Sequence, residues 1–128
     1  MDFDIENKTC SFCGVRGTDG AKFAGGLGAM ICVPCVEYFH DVFSTAAKTA
    51  AANRPPWERM SDEEILSKLP LIARNAEQVN EFLVEWVELA RSRKSSWAEI
   101  GKAMGISRQA AWERFAQRVE RLRSEDTA

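Results

Sequence analysis

Between Leu71 and about Arg93 the apolar residues recur every three or four positions, and this spacing predicts a helix with one face in a core. Val79, Phe82, Leu83, Trp86, Val87 and Ala90 form its stripe, with Glu77, Glu81, Glu85 and Glu88 around them. Val36, Phe39, Phe43, Ala46 and Ala50 keep the same step earlier in the chain, and Tyr38 and Val42 add a second apolar flank. A helix apolar on two sides packs between layers or meets a partner. Asn53 and Pro55–Pro56 are expected to stop it, because proline lacks the amide and restricts its predecessor. Ser61 and Glu64 form a capping box, predicting a short helix that yields near Pro70. No strand pattern stands out beyond a short glycine-containing stretch before Cys32.

The last third holds a tighter pattern. Ser96 and Glu99 form another capping box, which predicts a helix over Trp97–Met104. Gly105 is expected to end it in the left-handed conformation, and Ser107 to cap the helix that follows. Ile100, Met104, Ile106, Ala111 and Phe115 supply inward contacts, while Gly101 and Ala111 are small where two helices cross closely. Helix, glycine turn and helix at these lengths make a helix-turn-helix. SWAEIGKAMGISRQAAWERF resembles the helix-turn-helix of bacterial regulators, actinobacterial ones especially, and the promoter-reading helices of sigma factors. The resemblance covers about residues 77–119, with its centre at 96–115.

A net charge of −2 looks wrong for a reader of DNA. The total conceals an asymmetry: residues 61–90 carry net −5, whereas 91–123 carry nine basic and three acidic residues, net +6. A polyanion meets the local field rather than the overall balance. In such a pair the start of the second helix enters the major groove, so Ser107, Arg108 and Gln109 are the expected base readers. Arginine suits the guanine edge and glutamine the adenine edge. Trp112, one turn on, is expected to touch a thymine methyl or sugar, or to lie at a core edge or dimer contact. Arg91, Arg93, Lys94 and Lys102 are expected to hold phosphates, whereas Arg118, Arg121 and Arg123 suit a solvated helix end.

Four cysteines form two pairs, Cys10-Ser-Phe-Cys13 and Cys32-Val-Pro-Cys35. A two-residue gap lets both thiolates of a pair face one ion, and two pairs complete a tetrahedral sulfur shell. Gly14 suits the positive torsion of such a turn, and Gly25, Gly26 and Gly28 suit a small hairpin returning Cys32 toward Cys10. With every ligand supplied by protein, one zinc ion per chain is expected to be structural. His40 is left as a surface residue. The segment KTCSFCGVRGTDGAKFAGGLGAMICVPCVEYFHDVF resembles the zinc-binding domain at the N-terminus of the ClpX unfoldase. The likeness covers about residues 8–44, on the CSFCG knuckle and the ICxxCVE stretch that leads into a helix. It implies a treble-clef-like fold that dimerises and binds protein partners or adaptors. Val33–Pro34 stands where that family usually has acidic residues, and the unfoldase's phosphate loop, GxxxxGK[ST], is absent.

The expected fold class is therefore mainly α: a small treble-clef-like zinc module of hairpin plus helix, then a helical helix-turn-helix domain. The expected domains are 1–52, a linker at 53–60, and 61–128. Tyr38, Phe39, Val42 and Phe43 are the expected dimer or partner face, since so small a module cannot cover both flanks of its helix. With 45% apolar and 28% charged residues and no long apolar run, the chain reads as globular and not membrane-spanning. No secretory signal is visible, so a reducing cytoplasm is expected, and with it thiols rather than disulfides. No catalytic residues are expected: there is no open metal position and no histidine beside a nucleophile. The functional expectation is a dimeric regulator that binds double-stranded DNA in sequence-specific fashion. The alternative is an adaptor or inhibitor acting on Clp protease machinery through the zinc module.

Overall fold

The computed structural model describes residues 5–52 and 57–127. The fold is mainly α, with one two-stranded hairpin beside the cysteines. Strands β1 (Phe23–Gly25) and β2 (Met30–Cys32) pair antiparallel, with Phe23 opposite Cys32 and Gly25 opposite Met30. Helices α1 (Val33–Val42) and α2 (Ala46–Ala51) follow, then α3 (Asp62–Ser92), α4 (Trp97–Met104) and α5 (Arg108–Thr127). The chain forms two compact units, Met1–Val79 and Asn80–Ala128, dividing inside α3. Of the stretch expected as a linker, 53–56, with the stop signals Asn53 and Pro55–Pro56, lies outside the described residues. Trp57–Arg59 forms a 3-10 turn.

Two expectations about helices need correction. The row from Val36 to Ala50 is not one helix: α1 ends at Val42, and Thr45 starts α2 by accepting the Lys48 amide on its hydroxyl at 3.1 Å. A threonine that can bond the nearby backbone competes with continued helix. Conversely, α3 does not yield at Pro70 but runs through it for 31 residues. Proline there removes the amide that would pair with the Leu66 carbonyl. Residues 61–74 are all exposed, so water can take that carbonyl and the helix persists.

In the first unit a pair of hydrogen bonds joins α3 to the chain before Cys10. The Thr9 amide donates to Gln78 Oε1 at 2.8 Å, and Gln78 Nε2 donates to the Thr9 carbonyl at 2.9 Å. The side-chain amide thus completes a strand edge as a neighbouring peptide would, and both residues are buried. In the second unit Val84, Val87, Ile100, Ala111, Phe115 and Val119 form the core, with Leu83, Ala90, Trp97, Met104, Ile106 and Leu122 packed on it. Of the expected stripe on α3, Phe82 and Val87 are buried and Leu83 and Ala90 pack on the core; Val84 joins them, whereas Val79 and Trp86 are exposed.

Candidate metal centre and nucleic-acid interface

Local backbone chemistry builds the cysteine cluster. The Gly14 amide donates to the Cys10 carbonyl at 3.0 Å and the Cys10 amide to Val15 at 2.9 Å, closing the first knuckle. Gly14 has φ +81°, the left-handed geometry expected of it. The knuckle is tied to β2 at Ser11: its amide donates to the Met30 carbonyl at 2.8 Å, and its hydroxyl accepts the Met30 amide at 3.0 Å. Cys32 ends β2 and opens α1, whose second residue is Pro34, so Cys35 rides on the first turn.

All four sulfurs lie within 4.8 Å of one another. Cys10 and Cys35 Sγ are 3.8 Å apart, and Cys13 and Cys32 Sγ 3.6 Å. Sulfurs around a tetrahedral ion at about 2.3 Å stand about 3.8 Å apart, so the quartet fits a metal. Burial works against the Cys10 thiolate. The amides of Cys13, Cys32 and Phe12 outweigh it and bring the pKa from 9.0 to about 6. Burial pushes Cys13 and Cys35 upward instead, with the neighbouring thiols adding to the rise at Cys35. Thiolates this close repel, and a divalent cation relieves that repulsion. Cys10 and Cys32 are buried, Cys35 half-buried and Cys13 exposed. His40 is exposed on α1, away from the ligand set.

The position of Cys35 fixes the phase of α1. Cys35, Phe39 and Val42 follow at steps of four and three, and they are the half-buried or buried row, with Val42 only 6% exposed. Val42 therefore leaves the expected partner face. Phe39 is half-buried, its ring edge-on to Phe12 and to Tyr38, each at 5.2 Å between centroids. Tyr38 and Phe43 remain exposed, at 62% and 66%.

The glycine-hinged pair is built as its sequence predicts. The Ser96 hydroxyl accepts the Glu99 amide at 3.0 Å, and Gly105 closes α4 with φ +72°. The Ile106 amide then reaches back to the Gly101 carbonyl at 2.9 Å, satisfying an end carbonyl of α4. Ser107 caps α5 by accepting the Ala110 amide at 3.0 Å. A methyl on Gly101 would stand 2.8 Å from the Ile106 carbonyl oxygen, so only glycine lets the turn fold this close.

Ser107, Arg108, Gln109 and Trp112 are all exposed at this end of α5. Gln109 Nε2 donates to Glu113 Oε1 at 3.0 Å, an i,i+4 contact that any reading of adenine has to exchange. Arg93, Lys94 and Lys102 are exposed. Arg91 differs from them. Its guanidinium donates to the Ser95 carbonyl at 2.9 Å and lies 4.8 Å over the Trp97 ring, so it also holds the α3–α4 turn together. Lys94 adopts φ +73° in that turn. Arg123 pairs with Glu88 at 3.1 Å.

Two contributors escaped the sequence reading. Gln78 sits among polar helix positions, and nothing in its neighbourhood announces a buried bridge. Trp97 opens α4 and lines, with Arg108, Gln109 and Trp112, an open groove of about 510 Å³. An aromatic residue at a helix start was the available signal.

Fold and cluster together define a mainly α protein carrying a small four-cysteine metal-binding module. Uncharacterized proteins of Mycobacterium tuberculosis, from two strains, and of Mycobacterium bovis are 39% identical to it over 56 residues, or 43% of this chain. That stretch is 22% of each relative's length, so the chain spans about a fifth of the curated relatives it matches. No protein-family model matches the chain, and no solved structure does.

Proposed function

We propose that this protein is a sequence-specific DNA-binding transcriptional regulator whose four cysteines hold one structural zinc ion. The observation that carries the reading is the exposed Arg108–Gln109 tip at the start of α5, on a glycine-hinged helix pair within the basic stretch 91–123. Guanidinium and amide forks at this position suit base edges. Arg93, Lys94 and Lys102 supply charge for phosphates, and Arg91 adds its remaining donors. Zinc is favoured over other metals by four sulfur ligands and their near-tetrahedral spacing. A single helix-turn-helix makes few base contacts, so the reading includes a homodimer on paired half-sites. The cytoplasm is its setting, and no catalytic step is assigned. Among the described residues no helix is long and apolar enough to cross a membrane.

The test is duplex binding by the metal-loaded full chain at several salt concentrations. Affinity should fall steeply as salt rises, because bound phosphates release counterions. Arg108→Ala should lower affinity about 10-fold or more for a selected site while leaving the melting temperature unchanged. Absence of binding at low salt defeats the proposal.

Exposed apolar side chains on the first unit favour a second reading. Tyr38, Phe43, Leu66 and Ile72 each expose more than half of their surface, an apolar display of the kind that marks protein contacts. Capture of a Clp subunit without DNA binding would support the adaptor or inhibitor role.

A further inference from the structure

We infer that the groove between Trp97 and Trp112 seats the 5-methyl group of a thymine, making these two indoles determinants of which operator is bound. The inference rests on the duplex-reading role proposed above and names one base within it.

The groove lies wholly within the Asn80–Ala128 unit and is lined by Trp97, Arg108, Gln109 and Trp112. It is open, whereas small-molecule sites enclose most of their ligand. An open groove suits one edge of a larger body. Its one charged donor is Arg108, on the first turn of α5 beside Gln109, whose amide nitrogen already donates to Glu113, and its apolar surface comes from the two tryptophans. A fitting ligand edge therefore sets a hydrogen-bond acceptor beside a small apolar group. Among the four bases, only thymine presents that pair in the major groove, as O4 next to the C5 methyl. Charge points to the same occupant: the basic stretch 91–123 that contains the groove favours a polyanion over a neutral or cationic ligand.

The indoles are held differently. Trp97 is half-buried against the core and has the Arg91 guanidinium over its ring at 4.8 Å. It forms a fixed wall. Trp112 is 51% exposed and has surface left to cover, which is the contact that a methyl group would gain.

Duplexes are first selected from a random-sequence library with the metal-loaded full chain. Each thymine of the consensus is then replaced in turn by uracil, which removes the methyl and keeps every hydrogen-bonding group. One position should lose about fourfold in affinity, the worth of one buried methyl. Trp112→Ala, a substitution at an exposed site, should still bind but treat thymine and uracil alike at that position. Trp112→Phe should restore part of the preference. Equal affinity for thymine and uracil at every position overturns the inference and leaves DNA binding standing. A thymine preference undiminished in Trp112→Ala overturns it as well, by placing the methyl elsewhere. Failure to select any duplex defeats the inference together with the reading beneath it.

Discussion

Gln78 shows what one side chain does that its type does not announce. Its amide both accepts from and donates to the Thr9 backbone in a buried setting, so it stands in for a missing strand next to Cys10. Leucine at this position keeps the bulk and strands a buried amide and a buried carbonyl. Each stranded group costs about 1–3 kcal/mol. Gln78→Leu should therefore shift the urea unfolding midpoint of the metal-loaded chain clearly downward. An unchanged midpoint would mean that the bridge contributes nothing. Cys35 is the opposite case: its role is legible from spacing alone, and that role then dictates which side of α1 faces inward. The apolar pattern alone leaves two flanks on α1, one with Val36, Phe39 and Phe43 and one with Tyr38 and Val42, whereas the inward row takes Phe39 from the first and Val42 from the second. Hydrophobicity does not distinguish those rows, and a metal ligand does.

At the level of elements, the α4–α5 turn was readable almost atom by atom, since caps, glycine and hydroxyls act over three or four residues. Its two glycines do different work, and alanine separates them. Gly105 has open space where a Cβ would be, so Gly105→Ala meets only the left-handed backbone, at about 1–2 kcal/mol. Gly101→Ala gains about 1 kcal/mol in helix propensity yet drives a methyl into the Ile106 and Ser107 carbonyls, at 2.8 and 2.9 Å. Backbone atoms yield poorly, so Gly101→Ala should lower the melting temperature more than Gly105→Ala. The reverse order would show that the close approach relaxes freely. Helix α3 was the harder element. Pro70 reads locally as a stop, and it is tolerated because the lost hydrogen bond falls in an exposed stretch.

Across the whole molecule, the four-cysteine cluster and the apolar core of α3–α5 belong to separate units. The cysteines all belong to Met1–Val79, whereas the Val84–Val119 core contains none of them. Chelation should therefore abolish amide-exchange protection around residues 9–35 and change it little over 97–119, as followed by hydrogen exchange. Equal loss in both regions would show that the second unit does not hold its own fold. Charge is distributed over the same length scale: the acidic stretch 61–90 and the basic stretch 91–123 nearly cancel in the total, so overall charge misrepresents both.

Cysteine spacing, capping boxes and the hinge glycine needed no coordinates, because each acts through atoms a few residues apart in the chain. The cluster, the hairpin and the helix pair could all be read in advance for that reason. The Thr9–Gln78 bridge joins residues 69 positions apart, and the Trp97 groove joins the start of one helix to the next. Val42 is buried because the sulfur cluster, which brings Cys10 and Cys13 against Cys32 and Cys35, fixes which side of α1 turns inward. Those features arise where distant segments meet, and packing rather than local propensity chose them.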